Sequence, residues 1–519
     1  MRAVCTLHGK FQEPLSTQGS APSQESQEPA KTLGEVVPQR RRKSAKSLGA
    51  KGPESSSNRD IPRILLLNPP RYRGITVVRI WRSEYLFVQG NQIPPMDLAY
   101  FAAAARGDAE VAIVDANAEN LDPSATLERV ERFRPDIIVS KGVINILEHD
   151  LEVPRLYKEK FPEVRLVLSC RGTLNREEKV FTEFPFLDAV ARGEVDAFAK
   201  CLANTRSLSE ISGMCTPGEP DPVVRIVQDL NEHPIPDLQA MPRAWYQHYR
   251  IPYFGVPSGY FLTTSRGCPY RCTFCMVGGI TERPFTFRKR DPENVLEEVR
   301  MLEKDYGIRD AYIFDEIFTI PGHGDRISEL FASSAPSFRF ICEGKPDLVS
   351  PAMLDSLAKG GCTAVYYGLE SGDDAILGNI KKGHHKGHAR DAIRWTREAG
   401  VLAGAYVMLG FPGESWSSYL QTLEFLLETK PELVRYDFLS PYSVTELYAE
   451  MRRKGLVDPD NRNTDRRISR HFLGDVSIRS EELSATALRG MDFLFRRVFA
   501  DELTRAPLIR HGALDSQSA

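Results

Sequence analysis

The stretch TSRGCPYRCTFC, Thr264–Cys275, decides how this chain is read. Cys268, Cys272 and Cys275 stand in the spacing C-x3-C-x2-C, directly after GYFLTTS, a run that predicts a strand. Thiolates are soft ligands suited to iron–sulfur clusters, and a compact loop can wrap three corners of a cubane. Three ligands in place of four leave one iron open to chelate a further molecule. Zinc takes four ligands, usually in two pairs, and no second pair follows. Buried structural cysteines would not crowd into eight positions.

Downstream, DAYIFDE, FRFICEG, TAVYYGLE, LAGAYVML and LVRYDFL predict five more strands. Helices separate them: PENVLEEVRMLEKDYG with Asp291 as N-cap and Pro292 in the first turn, PAMLDSLAKGG capped by Ser350, and two around RDAIRWTREAG and SWSSYLQTLEFLLE. Six strands with intervening helices predict a partial (β/α)6 barrel over 258–440, with its chemistry at the C-terminal strand ends. Upstream, RILLLNPP, EVAIVDA, DIIVS, VRLVLS and LDAVAR alternate with helices from PMDLAYFAAAARG onward, one of them capped by Asp122 with Pro123 in its first turn. That alternation predicts a doubly wound, Rossmann-like α/β domain over 61–204. The proline-rich segment 205–257 reads as a linker and 441–519 as a helical C-terminal region packed on the barrel. Residues 1–60, rich in Ser, Gln, Glu and Pro, read as a disordered tail. The basic run Arg40–Lys43 inside it reads as a solvated stretch.

Composition narrows the class. The net charge of −3 gives no basic field to recruit nucleic acid. No apolar run reaches the ~18 residues of a membrane span, and MRAVCTLHGK lacks the apolar core of a secretory signal. Nine cysteines over 519 residues are too few for a disulfide scaffold, so a reducing, cytoplasmic setting is expected. Cys342 and Cys362 fall on predicted strands and read as core residues.

The cysteine spacing, with Phe274 just before the last cysteine, resembles the radical S-adenosylmethionine (SAM) superfamily. The resemblance runs through 258–440. It implies a 4Fe–4S cluster on Cys268, Cys272 and Cys275 that reductively cleaves SAM to a 5′-deoxyadenosyl radical. It also implies SAM-facing roles for Phe274, for Asp315 and Glu316 in DAYIFDEIFT, for Glu370 and Ser371 in YYGLESG, and for Gly410 in VMLGFPGES, where Gly413 follows. Lys345 in KPDLV stands where the family often has Arg. His384, His385 and His388 in KKGHHKGH resemble the polar loop before a barrel helix rather than metal ligands. No residue is singled out as a catalytic acid or base.

The α/β domain ahead of such a barrel resembles the cobalamin-binding radical SAM enzymes, through LLLNPP, PPMDLAYFAA, the VDA around Asp115, RPDIIV and ARGE. This resemblance implies a corrin across the strand C-termini, near Asn68, Pro69, Ser140, Gly142, Arg171, Gly172, Gly193 and Glu194. The function then implied is a cobalamin-dependent methyltransferase acting on an unactivated position of a small metabolite, lipid or natural-product precursor. A donor such as flavodoxin or ferredoxin would reduce the cluster. LSCRGTLN departs from the family's Gly-Gly pair after the fourth strand, which leaves two alternatives, a modified corrin pocket or lost cobalamin binding. The competing functions are a cobalamin-free radical SAM oxidoreductase or cyclase, a methylthiotransferase, and a non-enzymatic scaffold. The methylthiotransferase is disfavoured because the first domain has only Cys170 and Cys201, too few for a second three-cysteine cluster. The scaffold is disfavoured by the intact cysteines and GLESG.

Overall fold

A computed structural model describes residues 61–80, 83–87, 93–205, 207–241, 260–278, 285–439, 441–457 and 482–499. The expected tail 1–60 and the middle of the expected C-terminal region lie outside the described residues. The five expected N-terminal strands form β1 (Arg63–Asn68), β4 (Glu110–Asp115), β5 (Ile137–Lys141), β6 (Arg165–Ser169) and β7 (Ala189–Ala191). They are all parallel, in the order β4-β1-β5-β6-β7. β1 is central and buried on both faces, as its unbroken apolar run demands. Ile64 and Leu66 pack with Leu98, Phe101 and Phe198 on one side. Leu65 and Leu67 pack with Val130, Tyr157 and Leu168 on the other. The chain leaves β1 toward β4 and returns to β5 on its opposite side. That reversal makes the C-terminal ends of β1 and β5 the switch point where such sheets hold ligands.

Two elements were not legible. An antiparallel hairpin, β2 (Thr76–Ile80) with β3 (Ser83–Phe87), is inserted after β1. In the expected linker, β8 (Met214–Cys215) extends the sheet antiparallel to β7. Val78 and Ile80 of the hairpin join Met96 and Tyr100 in the hydrophobic core of the second sheet. The helix Met96–Ala104 therefore packs on both cores, because Leu98 and Phe101 face the first.

The second sheet holds β9 (Phe261–Leu262), β12 (Asp310–Ile313), β13 (Arg339–Gly344), β14 (Cys362–Glu370), β15 (Leu402–Leu409) and β16 (Leu433–Phe438). They are parallel and in sequential order, as expected of the partial barrel. β9 is shorter than GYFLTTS suggests. At β10 (Ser265–Arg266) the chain pairs antiparallel with β11 (Arg288–Lys289) and leaves the sheet just before the cysteines. Cys342 and Cys362 are core residues.

Asp122 and Ser350 accept capping bonds from Ala125 N and Met353 N. Asp291 sits at the N-cap ahead of Pro292, but its side chain makes no capping bond. The helix Ala485–Val498 packs on the barrel. The Phe495 ring lies 4.1 Å from that of Tyr436, and Tyr419 Oη donates to Met491 O at 2.6 Å.

Candidate active site at the cysteine loop

Asp315, at the C-terminal end of β12, is fully buried and accepts from Thr264 N (2.8 Å), Ser265 N (3.0 Å), Ser265 Oγ (2.7 Å) and Thr264 Oγ1 (2.5 Å). A carboxylate offers about four acceptor sites, so this one is saturated. The Asp315 carboxylate ties down the segment that launches the cysteines. Gly267 follows with φ +82°, and a Cβ there would lie 2.0 Å from Thr286 O, so only glycine fits. Gly267 N donates to Glu316 Oε2 at 3.1 Å.

The loop is pinned again at Thr273. Its N–H donates to Ile380 O at 3.0 Å, and its carbonyl accepts from Leu447 N at 3.0 Å. Between these anchors Cys272 is buried, and Cys268 and Cys275 are half-buried against Leu174, Val277 and Phe285. Burial pushes the Cys268 thiol up to about 12, and the charges of Cys275, Glu316 and Cys272 add to that. Burial also raises Cys272, opposed by Lys382 and Lys345. Cys268 and Cys272, both buried and both hindered in ionising by neighbouring thiols, are poorly placed to be free thiolates. They are well placed for a cationic iron cluster, which deprotonates its ligands. The donor set therefore fits the cluster.

Glu370, at the end of β14, adopts φ +63° and accepts from Lys382 Nζ at 2.7 Å. The buried Ser371 accepts from Asp373 N at 3.1 Å. Gly410, at the end of β15, has φ +93° and donates its N–H to Glu414. Phe274 packs 5.5 Å from Phe411. Phe274, Glu316, Glu370, Ser371 and Gly410 thus gather with the cysteines at the C-terminal ends of β12, β14 and β15. His385 and His388 stack at the start of the helix Lys386–Glu398, and His384 is buried beside Lys382 and Lys345.

The eight expected corrin residues fall along one edge, at or just beyond the C-terminal ends of β1, β5, β6 and β7. Several are already committed. Asn68 donates to Asp115 Oδ1 (2.8 Å) and accepts from the buried Arg79 (3.2 Å), which also forms a bidentate pair with Asp150. Arg79 donates to Pro69 O as well. Ser140 Oγ donates to Lys141 O at 3.2 Å. A Cβ on Gly142 would press within 2.7 Å of Leu147, and one on Gly193 within 1.9 Å of Arg225 O. Both glycines therefore serve close packing. Arg171, preceding Gly172, lies over the Phe285 ring at 4.1 Å. Glu194 accepts from Arg266 Nη1 (3.2 Å) and Arg288 Nη2 (2.7 Å) at 1% exposure.

Asp196 completes that clamp, pairing with Arg266 Nη2 at 2.6 Å and His233 Nε2 at 2.9 Å. Burial works against its charge, but Arg266 and His233 outweigh burial and hold the carboxyl well below the usual range. The sequence reading missed Arg79, Asp150, Asp196, Arg266 and Arg288. An arginine beside a metal-binding motif was the one available signal.

Residues 262–426 match the family described as the Radical SAM superfamily. The chain carries a radical SAM domain. The radical SAM match begins within β9 and ends in the helix after β15, so it takes in the cysteine loop and the ends of β12, β14 and β15. Among curated proteins, the chain is 27% identical over 397 residues to an uncharacterized methyltransferase of Pyrococcus horikoshii, covering 75% of this chain and 83% of that one. It is 24% identical to the anaerobic magnesium-protoporphyrin IX monomethyl ester cyclase of Synechocystis, over 78% of this chain and 80% of that one. Among solved structures, it shares the fold of the radical S-adenosylmethionine methyltransferase TsrM from Kitasatospora setae, solved with cobalamin and a [4Fe-4S] cluster bound. The TM-score is 0.58 at 15% identity, over 77% of this chain and 76% of that one. The shared fold includes the first sheet, since the barrel alone could not supply that coverage. Among the described residues, no helix is long and apolar enough to cross a membrane.

Proposed function

We propose that this radical SAM enzyme is a cobalamin-dependent methyltransferase acting on an unactivated position of a small metabolite, lipid or natural-product precursor. It works in the cytoplasm, with a flavodoxin- or ferredoxin-type donor reducing its cluster. One observation carries the reading. The residues just after β7, Glu194 and Asp196, grip Arg266, two residues ahead of Cys268. The ligand-holding edge of the first sheet is thereby fastened to the cysteine loop, as transfer between a corrin and a SAM-derived radical site requires. The methyltransferase relative and the shared fold support the same reading.

Bound together, the cluster supplies the electron that cleaves SAM, and cobalamin supplies a transferable methyl group. The chain's own part is to hold and orient. Cys268, Cys272 and Cys275 would ligate three irons, and Phe274, Glu316, Glu370, Ser371 and Gly410 would line the SAM side. Ser140, Gly142, Arg171 and Gly172 would border the corrin. Asn68 and Glu194 stiffen the edge from behind, because their polar groups are already spent.

A second reading, a cobalamin-free oxidoreductase or cyclase, draws on Arg171. A guanidinium stacked on Phe285 stands at the edge where the family's glycine pair would be. One experiment separates the two. The protein is purified anaerobically, reconstituted with iron and sulfide, incubated with hydroxocobalamin, desalted, and its visible spectrum recorded. Corrin bands co-eluting in stoichiometric amount with the iron–sulfur absorption support the methyltransferase. Iron–sulfur absorption alone sinks cobalamin dependence and leaves the second reading standing.

A further inference from the structure

Two lysines far from the cysteines in sequence meet their loop in space. The loop carries one aromatic residue between each pair of cysteines: Tyr270 between Cys268 and Cys272, and Phe274 between Cys272 and Cys275. Lys345 Nζ, from the end of β13, lies 4.6 Å from the centroid of Tyr270. Lys382 Nζ, from the loop that follows the short helix Asp374–Asn379, lies 5.9 Å from that of Phe274. An ammonium over an aromatic face gains from the ring quadrupole, so each ring fixes a positive charge beside the cysteines. Both lysine side chains are almost wholly shielded from solvent, at 5% and 13% exposure, so their fields are weakly screened. Each has a carboxylate counterion, Asp347 for Lys345 and Glu370 for Lys382. Each ammonium nevertheless stands over a ring of the cysteine loop itself, which sets its positive end against that loop. His384 beside them is neutral and cancels nothing, because burial and the two lysines drive its pKa down to about 2.

We infer that Lys345 and Lys382 raise the reduction potential of the cluster held by Cys268, Cys272 and Cys275, making it easier for a one-electron donor to charge. The inference rests on the cluster reading above. With three thiolates, an oxidised 4Fe–4S centre (2+) has net charge −1, and one electron takes it to −2. The step moves no proton and breaks no bond. Fixed positive charge stabilises the more negative state, and net charge around a cluster is one of the factors that set its potential.

The test is a redox titration of the reconstituted full-length protein without SAM, using dithionite and mediators, with the reduced cluster read by electron paramagnetic resonance. Iron content is measured in parallel. Lys345→Met and Lys382→Met are each expected to lower the reduced fraction at a fixed potential by about tenfold, a shift of about 59 mV for one electron. Lys382→Arg, which keeps the charge, is expected to titrate like the parent. Because Lys382→Met strands Glu370, the double variant Lys382→Met, Glu370→Gln is titrated beside it, and Lys345→Met carries the test if neither assembles a cluster. Unchanged midpoints at full iron content would overturn the inference. So would a shift seen only once SAM is added, which would assign the lysines to SAM instead. A parent protein that assembles no cluster fails the underlying reading as well, and its iron content distinguishes that outcome.

Discussion

Glu414 is fully buried in the turn after β15, where it accepts the Gly410 N–H. Burial raises its carboxyl to about 7, although bonds from Gly410 and Phe411 pull the other way. A carboxyl that binds its proton more tightly when folded stabilises the fold fully below its unfolded pKa, near 4.5. That stability is then lost as pH rises toward 7. The loss is about 3 kcal/mol at most. Glu414→Gln, which cannot ionise, is expected to flatten this slope. Thermal scans at pH 5 and pH 8 should show the parent losing more midpoint temperature across the interval than the variant. Equal losses in both would mean that Glu414 is already ionised at pH 5. Gly267 gives a steric prediction at the same scale. Gly267→Ala must displace the Thr286 carbonyl or the loop, so the variant is expected to fold yet retain little iron after reconstitution. Iron retention equal to the parent would show that the loop tolerates the methyl group. At this scale the sequence told chemistry better than orientation. The cysteine spacing announced a metal-binding loop. That Thr264 and Ser265 would bond to Asp315 was not legible, because a strand-end carboxylate reads alike whether or not a backbone segment meets it.

The strands of both sheets were legible because buried parallel strands are unbroken apolar runs between turns. The hairpin β2–β3 was not, because the residues of β2 are buried by what comes to meet them. Arg79 sits inside it among Val77, Val78 and Ile80, and a charged residue in an apolar run reads as exposed. Its partner Asp150 lies 71 residues away. The clamp between β7 and β10 was hidden for the same reason, since Arg266 and Asp196 are 70 residues apart. Both are about 1% exposed. Arg266→Met would leave Asp196 without its main counterion and Glu194 with Arg288 alone, and breaking a buried pair typically costs about 3–5 kcal/mol. The variant is expected to unfold at a clearly lower temperature and to lose cluster faster than the parent, with all three cysteines in place. Because Arg266 holds Asp196 below the usual carboxylate range, the clamp's contribution is complete above about pH 4 and lost as pH falls further. The stability gap between parent and Arg266→Met should therefore narrow in acid. A gap that stays constant down to pH 3 would assign the loss to packing over Tyr100 rather than to charge.

At the scale of the whole molecule, the two sheets are fastened by apolar and ionic contacts together. Val78, Ile80, Met96 and Tyr100 of the N-terminal part are built into the core of the barrel. Arg266 and Arg288 of the barrel lie against Glu194 and Asp196. Reading the chain as two α/β units joined by a linker captured each sheet but not this shared core, because Met96 and Tyr100 lie on a helix whose other residues fit the first sheet equally well. A linker that merely tethers would let the halves fold apart, whereas a shared core does not. Expressed alone, residues 258–519 would expose the barrel surface that these four side chains cover and would leave two arginines without their carboxylates. Exposed contiguous apolar surface favours aggregation over a monomeric fold. The expected result is a barrel fragment that elutes in the void volume on size exclusion, and a soluble complex when residues 61–241 are co-expressed with it. A monomeric, iron-binding barrel fragment would show instead that the seam is a docking contact between independent domains. The cysteine loop would then owe its shape to Asp315, Gly267 and the Thr273 anchor, and the Arg266 clamp would serve only to orient the first sheet.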